Sequence, residues 1–504
     1  MLPAFSCGII DNMQSMIEKI KRKIWNSRKF RRFGSDSFPT EKEREALSQD
    51  SFEFKPKFSI LTPLYNTPEE FLYEMIMSVM GQTYGNFELC LADGSDSSHS
   101  YVGRICRALA EKDGRIIYKK LEKNEGISGN TNECVKMATG DYIGLLDHDD
   151  VLHPCALFEY AKAINERGGD FLYSDEVTFG RGDVNHIQTV FFKPDFAIDN
   201  LRANNYICHF TCFKGSLLSG MELFRKEYDG SQDHDMVLRL VAKAESIIHV
   251  PKVLYYWRAA AGSTAKDISA KEYAVDAGVR AVSDHLKEGG FEGFEVTSVG
   301  AVPTIYRVDY KVEASSEDFL TLMDEGCRPV TLDWQEKLLM YAQREDVGAV
   351  GALIRNTDGS VKSAGLVLGM GSAGTVGHLF AGTAKDQIGY LGQLLFARNV
   401  SAISGLCMMV SKSKFEEVGG FDERFTGDLK FADLCLKLRA KGYLNVWTPF
   451  AEIVYNNSDG DIPGPALDEE AAAFMEKWGE VLASGDPYYN PNLSLDYQDC
   501  RIKE

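Results

Sequence analysis

The stretch Gly140-Asp141-Tyr142-Ile143-Gly144-Leu145-Leu146-Asp147-His148-Asp149-Asp150 decides how the rest of this sequence is interpreted. Its apolar part, Tyr142–Leu146, has the length of a short buried strand and ends in three carboxylates around one histidine. Carboxylates this close repel one another unless a cation lies between them. Mg²⁺ or Mn²⁺ held by one or two carboxylates usually shares its coordination shell with substrate phosphates. The pattern therefore predicts a metal site, and the alternative is that Asp150 caps a helix beginning near Val151.

Three further apolar segments end in polar turns and alternate with helical patterns. The strands are predicted at 58–66, 87–95 and 116–121, and the helices at 68–80, 101–112 and 128–139. This alternation predicts an α/β fold with a mostly parallel sheet and helices on both of its faces. Ligands bind such sheets at the carboxyl ends of the strands, where Asn66, Asp93, Gly126 and Asp147 are expected.

Four ordered motifs resemble the family 2 glycosyltransferases, which have the GT-A nucleotide-sugar-binding fold. The motifs are Pro63-Leu64-Tyr65-Asn66, Asp93-Gly94-Ser95, Asn124-Glu125-Gly126-Ile127-Ser128 and Leu145–Asp150, and the similarity covers roughly residues 56–265. The resemblance implies that Asp147 and Asp149 hold Mg²⁺ or Mn²⁺ and the donor diphosphate, and that Asp93 contacts the nucleotide base. Ala92 departs from the family pattern, since many members have a second aspartate there. The donor-site residues implied in this way are Pro63, Tyr65, Asn66, Asp93, Asn124, Gly126, Asn130, Asp147, His148 and Arg258.

Asp233 is the candidate general base. Met236, Val237 and Leu240 recur at helical spacing, so Asp233 is expected in the first turn of a helix. An acidic residue there can equally be an N-cap or a first-turn charge. The family carries an acidic residue before a helix of this pattern, and that resemblance implies Asp233 as the base, with Asp235 as the alternative.

The segments between the metal motif and Asp233 are where an acceptor pocket is expected. The weaker acceptor-side candidates are Asp175, Glu176, Lys193, His209 and His234. Residues 206–213 are predicted to form a buried strand, in which Cys208, Phe210 and Cys212 share one face and His209 points the other way. Further along, Trp257-Arg258 followed by Gly262-Ser263-Thr264 resembles a family strand and loop in which the arginine approaches the diphosphate. The alternative is a surface arginine on an edge strand.

Composition limits the classes of protein. A chain of 504 residues with 44% hydrophobic residues predicts two or three globular domains. A net charge of −19 argues against nonspecific nucleic-acid binding, and there is no run of 18 apolar residues and no secretory signal. Eleven cysteines without metal or disulfide spacing fit a reducing cytosol. We therefore expect a cytoplasmic protein.

The N-terminal segment combines charge with an apolar face. Met13, Met16, Ile17, Ile20, Ile24 and Trp25 fall mostly on one side of a helical pattern that also carries the following basic residues: Lys19, Lys21, Arg22, Lys23, Arg28, Lys29, Arg31 and Arg32. A basic amphipathic helix is typical of peripheral association with an anionic membrane surface, here the inner face of the cell membrane. The alternative is a solvated helix that packs on its own domain or on a second subunit of a homodimer. Residues 33–55 are predicted to be a linker.

A second, related unit is predicted beyond about residue 294. Asp318–Gly326 repeats the pattern of an apolar strand running into acids, a strand is expected at 401–410, and Gly419-Gly420-Phe421-Asp422-Glu423 before a helix at 431–441 again resembles the family. Phe431 stands where the resemblance implies the base, so this unit is predicted to be a degenerate, noncatalytic GT-A-like module that packs on the first domain, shapes the acceptor cleft or dimerises. The predicted divisions are 1–55, 56–265, 266–300, 301–485 and 486–504.

These observations together predict an inverting, metal-dependent glycosyltransferase. Resemblance favours a UDP-sugar donor, with dTDP-rhamnose as an alternative, and a glycan or lipid-linked acceptor in bacterial surface polysaccharide synthesis. Two other functions stay open: a catalytically inactive glycan-binding scaffold, and a sugar nucleotidyltransferase, although Pro63–Asn66 is not the basic phosphate loop that the latter needs. A dinucleotide dehydrogenase is disfavoured because no G-x-G-x-x-G motif follows the first strand.

Overall fold

The computed structural model describes residues 30–49, 52–180, 182–259, 272–371, 373–456 and 468–504. They form two compact units whose segments alternate along the chain. The first unit takes the described residues of Met1–Phe191, His209–Met221 and Lys252–Lys266, and the second takes those of Phe192–Cys208, Glu222–Pro251 and Asp267–Glu504.

The first unit is built around one large sheet. Its strands are β1 (Phe58–Leu64), β2 (Phe87–Asp93), β3 (Ile116–Lys120), β4 (Tyr142–Leu145), β5 (Val151–Leu152), β6 (Phe171–Phe179), β7 (Ile187–Phe191), β8 (Cys212–Lys214) and β9 (Ile247–Arg258), of which β9 belongs to this unit only from Lys252 onward. Its helices are α1 (Glu41–Ser48), α2 (Glu69–Met80), α3 (Tyr101–Ala110), α4 (Gly126–Val135) and α5 (Ala156–Arg167). The strand order is β3-β2-β1-β4-β8-β6-β9-β5, with β7 added to β6.

One half of this sheet is parallel and the other half is antiparallel. β1 pairs in parallel with both β2 and β4, and β2 pairs in parallel with β3. β8 runs antiparallel to β4 and β6. Every residue of β1 is buried, as a central strand covered on both faces requires. The predicted α/β sheet with its four leading strands is therefore confirmed.

Two local interpretations of the sequence are wrong in this part of the chain. Asp150 caps no helix, because Val151–Leu152 is a short strand and α5 begins only at Ala156. Residues 206–211 are not a strand, since β8 begins at Cys212 and Cys208 has a φ of 36°, which no strand allows.

Residues 33–55 are not simply a linker. The Tyr256 hydroxyl donates to Phe33 O at 2.9 Å, and the Phe38 ring lies edge-on to His153 with 5.1 Å between centroids. α1 follows, with Thr40 and Glu43 forming a capping box at its start. The predicted basic helix over residues 13–25 and the loop 262–264 lie outside the described residues.

The second unit contains the remaining elements. Its helices are α6 (Ile198–Ala203), α7 (Gln232–Val241), α8 (Glu272–Glu288), α9 (Trp334–Ala342), α10 (Lys412–Glu417), α11 (Gly427–Ala440) and α12 (Asp468–Ala483). Its strands are β10 (Phe294–Ser298), β11 (Tyr306–Tyr310), β12 (Phe319–Met323), β13 (Cys327–Pro329), β14 (Val347–Asn356), β15 (Val361–Ser363), β16 (Leu366–Leu368), β17 (Val376–His378), β18 (Arg398–Val400), β19 (Cys407–Ser411) and β20 (Leu444–Tyr455).

The main sheet of the second unit repeats part of the first sheet. Its order is β12-β19-β14-β20-β13, with β15 added to β14, and it matches β4-β8-β6-β9-β5 with β7 on β6 strand by strand. The predicted second module is therefore present, and no described strand of it takes the places of β1, β2 and β3. The predicted strand at 401–410 is shorter, because it begins only at Cys407.

None of the helices within the described ranges combines the length and the apolar character needed to cross a lipid bilayer.

Candidate active site

The metal motif ends β4 at the carboxyl edge of the parallel strands. Asp147, Asp150 and His209 each offer a ligand atom there, and these atoms all lie within 4.8 Å of one another. The Asp147 side chain is 48% exposed, whereas His209 is largely buried, and 3.9 Å separate Asp147 Oδ2 from His209 Nε2. Burial, reinforced by the Asp147 and Asp149 carboxylates, raises the pKa of Asp150 well above its usual range.

Tyr255 links two members of this cluster. Its hydroxyl donates to Asp150 Oδ2 at 2.6 Å, and its ring is stacked on His209 with 4.4 Å between centroids and 8° between planes. Glu176, predicted on the acceptor side, accepts a hydrogen bond from His209 N at 3.1 Å. The sequence had given Asp147 and Asp149 as the metal pair. In the structure, Asp147 lies close to Asp150 and His209 instead. His209 is far from the two aspartates in the sequence, so no local motif connects it to them.

Arg258 contacts residues 147–150, which we call the metal loop. Its Nε donates to Asp149 O at 2.6 Å, and its backbone N donates to Asp150 Oδ1 at 2.7 Å. Nη2 forms an ion pair with Glu74, and the guanidinium lies over the rings of Phe71 and Phe179. Arg258 is only 3% exposed, so the alternative of a surface arginine is wrong. Its Nη1 has no hydrogen-bond partner among the described residues, and its approach to a diphosphate stays a prediction.

The donor-side candidates meet at the ends of β1 and β2. Asp93 is 1% exposed, and its carboxylate accepts hydrogen bonds from Ser95 N and the Tyr118 hydroxyl, both at 2.8 Å. Tyr65 is 46% exposed, and Asn66, at a φ of 52°, donates its backbone N–H to Ser95 Oγ at 2.9 Å. Pro63 is buried in β1 opposite Ala92.

The start of α4 packs against the same turn. Asn124 Oδ1 accepts from Gly126 N at 3.0 Å and from Asn130 Nδ2 at 2.9 Å. A Cβ on Gly94 would lie 2.9 Å from Asn130 Nδ2, so only glycine allows this close approach. His148 Nδ1 is buried and has no hydrogen-bond partner among the described residues.

Asp233 lies in the first turn of α7, as predicted, within the second unit. Burial raises the pKa of Asp233 to about 6, although Gln232 Nε2 donates to its Oδ2 at 2.9 Å. A general base works best with a pKa near the working pH. Asp235, two positions on, is instead paired with Arg225 and with Arg239, whose Nη2 lies 2.6 Å from Asp235 Oδ2.

The remaining acceptor-side candidates are buried. Asp175 in β6 is 0% exposed. Lys193 Nζ donates to Ile207 O at 2.6 Å, and Lys193 O accepts from Asn490 Nδ2 at 2.8 Å. His234 Nε2 lies 2.7 Å from Leu201 O, and its ring is stacked on Tyr306. Their roles toward an acceptor stay predictions.

The predicted second module, which begins beyond about residue 294, has the Phe431 ring at the position where the family resemblance implies the base. A Cβ on Gly405 would lie 2.0 Å from the Phe431 ring, so the ring packs directly on this glycine. Two residues later, Asp433 pairs with Lys437 at 3.2 Å, four positions on, as Asp235 pairs with Arg239. The helix therefore keeps its structural carboxylate and lacks a proton acceptor at Phe431.

Residues 59–219 match the family model described as Glycosyl transferase family 2. This segment belongs to glycosyltransferase family 2. The match and the sheet topology confirm the predicted fold class, a GT-A fold followed by a second, partial GT-A-like module.

Two relatives match most of this chain. An uncharacterized protein of Sinorhizobium fredii, y4gI, is 31% identical over 535 residues, which cover 88% of this chain and 58% of that protein. The O-antigen biosynthesis protein RfbC of Myxococcus xanthus is 29% identical over 535 residues, covering 89% and 41%. The chain thus spans about half the length of these relatives.

Among solved structures, S. aureus TarS 1–349 in complex with UDP-GlcNAc is 20% identical to the chain. The match covers 46% of this chain and 66% of that chain, with a TM-score of 0.39. A likeness this low adds nothing to what the sheet topology shows.

Proposed function

We propose that this protein is an inverting, metal-dependent glycosyltransferase that moves a sugar from a nucleotide-sugar donor to a hydroxyl of a glycan or lipid-linked acceptor. The observation that carries the proposal is the cluster of Asp147, Asp150 and His209 at the sheet edge where Asp93 also ends its strand. Membership of family 2 supports the same reaction class. RfbC is named for O-antigen biosynthesis, which supports a role in surface polysaccharide synthesis.

The donor set of the cluster fits a divalent cation. Carboxylate oxygens suit Mg²⁺ and Mn²⁺, and an imidazole is compatible with a first-row transition ion. Burial, and then the neighbouring Asp147 and Asp149 carboxylates, raise the pKa of Asp150, and a cation at the cluster would offset the charge part of that effect. A bound cation would neutralise the diphosphate leaving group of the donor.

The chain's own residues supply the rest of the chemistry. Asp93 binds the nucleotide base, and Tyr255 and Arg258 keep the metal loop in place. Asp233 accepts the proton of the acceptor hydroxyl, which attacks the anomeric carbon on the side opposite the diphosphate. A single displacement inverts the anomeric configuration, and no covalent intermediate on the protein is required.

The donor and its metal dependence are tested by calorimetric titration with UDP-sugars and dTDP-rhamnose, with Mn²⁺, with Mg²⁺ and with a chelator. We expect Asp147→Asn to abolish metal-dependent binding, because it removes a charged ligand of the cluster. Asp324→Asn is the matched control, since Asp324 follows β12 as Asp147 follows β4. Normal donor binding and turnover by Asp147→Asn with metal present would refute the proposal.

Two more variants separate the two candidate ligand sets. If Asp147 and Asp149 hold the ion, Asp149→Asn weakens Mn²⁺ binding more than His209→Ala does. If the cluster holds it, the order is reversed. Product analysis by NMR then shows whether the anomeric configuration is inverted.

The basic N-terminal segment supports a second part of the proposal, peripheral binding to anionic membranes. Removing residues 1–29 should release the protein from anionic vesicles and leave donor hydrolysis intact. The truncation stops before Phe33, because Phe33 O accepts from the Tyr256 hydroxyl. Co-sedimentation at low and high salt is the measurement, since electrostatic binding weakens as salt rises. A full-length protein that ignores anionic vesicles at low salt would rule the membrane out.

A further inference from the structure

The sheet of the second unit stops where the first sheet continues. In the first sheet, β4 has β1 on one side and β8 on the other. In the second sheet, β12 takes the place of β4 and pairs with β19, which takes the place of β8. Among the described residues, no strand pairs with β12 on the side that corresponds to β1. An edge strand of this kind presents a row of backbone N–H and C=O groups.

This edge is open and partly apolar. Thr321 is exposed, Met323 is 40% exposed, and Phe319, Leu320 and Leu322 are partly exposed. The equivalent strand β4, which has β1 paired on that side, is mostly buried. The apolar side chains of β12 are therefore available to an added strand.

Asp318 occupies the position in the second sheet that Asp141 occupies in the first, where Asp141 contacts the residue before β1. Asp141 directly precedes β4, and its Oδ2 accepts a hydrogen bond at 2.8 Å from Lys57 N, directly before β1. Asp318 directly precedes β12 in the same way, and its carboxylate is exposed. Within the described ranges, no side chain or backbone group is bonded to that carboxylate.

We propose that the β12 edge binds a partner protein by parallel β-strand addition, in the manner in which β1 pairs with β4. The partner segment is extended and apolar, as β1 is, and it begins with lysine or arginine. We expect a basic first residue because two acidic residues, Glu317 and Asp318, directly precede β12, and a parallel partner strand would begin beside them. Backbone hydrogen bonds supply affinity in such additions, and the side chains supply selectivity.

A second copy of this chain is disfavoured as the occupant. Antiparallel pairing of β12 with itself would bring Asp318 of one copy close to Asp324 of the other, since these residues flank the strand at its two ends. Opposed like charges across strands are destabilising. A segment from another protein that begins with lysine or arginine would instead place a positive charge beside Glu317 and Asp318.

The test uses a fluorescent peptide with the sequence of residues 55–62, Lys-Pro-Lys-Phe-Ser-Ile-Leu-Thr, and the full-length protein. We expect saturable binding by fluorescence anisotropy. We also expect slowed hydrogen exchange of the amides in 319–323. The same peptide with alternate backbone nitrogens methylated should not bind, because it cannot form the ladder.

The deciding variant is Asp318→Lys, for which we expect binding at least about tenfold weaker, or about 1.4 kcal/mol. Glu336→Lys makes the same change of charge at an exposed position on α9 and should bind as the parent does. Equal binding of the methylated peptide, or unchanged affinity in Asp318→Lys, would overturn the proposal. So would a concentration-dependent dimer in sedimentation that Asp318→Lys strengthens, because lysine would then face Asp324 of a second copy, which would be the occupant. None of these outcomes depends on transferase activity.

Discussion

Asp233 and Asp235 lie in the same first turn of α7, yet their surroundings give them opposite roles. The Asp235 carboxylate is paired with two guanidinium groups, those of Arg225 and Arg239. Within the part of the chain that the structure describes, no ion pair involves Asp233, and burial raises its pKa to about 6. The first arrangement stabilises a helix start, whereas the second keeps a carboxylate able to exchange a proton near neutral pH.

Asp233→Asn should cut sugar transfer by at least ~10²-fold while donor affinity stays near the parent value, because geometry survives and the proton acceptor does not. In the parent protein the rate should rise with pH through about 6, since Asp233 must be ionised to act. Single-turnover transfer measured from pH 5 to 8 checks both points. Near-normal transfer by the variant would move the role of base elsewhere.

The same carboxylate should lower the stability of the folded protein. Its pKa rises from ~3.9 in the unfolded chain to about 6 when folded, so the folded state binds more protons between these values. The free energy of unfolding contributed by Asp233 therefore falls as pH rises from about 4 to about 6. Asp233→Asn should be more stable than the parent above pH 6 in urea denaturation, and this advantage should shrink toward pH 4.

Asp235→Asn should be costly for stability. Removing one partner of a buried ion pair leaves the other charges uncompensated, here Arg225 and Arg239, at a cost of ~3–5 kcal/mol. Asp276→Asn on the exposed face of α8 is the control and should change the free energy of unfolding little. Urea denaturation at pH 7.5 compares the two; equal stabilities would show that the ion pairs contribute nothing net.

The metal loop depends on an element that is distant in sequence, the end of β9. Arg258 donates to Asp149 O and Asp150 Oδ1 and is tied to α2 through Glu74. Arg258→Lys keeps the charge but not the planar set of donors. Because such outer contacts orient metal ligands, we expect Mn²⁺ affinity to fall ~10–100-fold.

Calorimetric titration of Mn²⁺ into the nucleotide-free protein measures this effect without any turnover. Arg104→Lys on the exposed side of α3 is the control with the same chemical change. An unchanged Mn²⁺ affinity in Arg258→Lys would mean that the loop is fixed by β4 and β5 alone.

The strands that lead into the site were predictable, and the residues that complete it were not. β1, β2, β3 and β4 have apolar runs ending in turn residues, a signal that is local. Tyr255 reaches Asp150 through the pairing of β9 with β5, and His209 reaches it from the loop before β8, at 206–211, which the sequence pattern predicts to be a strand. A helix cap at Asp150 was an open alternative because the strand that follows it, β5, has only two residues and leaves no periodic pattern in the sequence.

For the molecule as a whole, the sequence predicts consecutive domains, and the segments of the two compact units alternate along the chain. α7 is part of the second unit, where it packs on α8, and His234 is stacked on Tyr306. The family resemblance covers roughly residues 56–265. It therefore could not show that α7 packs on residues beyond that range, such as those of α8 and Tyr306. The boundaries predicted at 265 and 300 stay predictions.

A protein that ends at residue 266 should therefore keep nucleotide binding and lose transfer. The residues proposed for the donor and the metal lie in the first unit, whereas Asp233 lies in a segment deprived of its packing partners. Limited proteolysis with mass spectrometry should find cleavage within 222–251 in the truncated protein and protection in the full chain. Protection of that segment in both would show that residues 56–265 form a domain by themselves.

The hydrogen bond from Asn490 to Lys193 O joins two residues that are synthesised at very different times. A ribosome releases the strands β1 to β4 first, but the partner of Lys193 is made almost 300 residues later. At ~5–20 residues per second, that interval lasts roughly 15–60 s. A growing chain would thus be able to capture a sugar donor well before the segments around Asp233 and Lys193 have found their neighbours. Under our assignment of the base, transfer begins only late in synthesis, so an unfinished chain does not glycosylate prematurely.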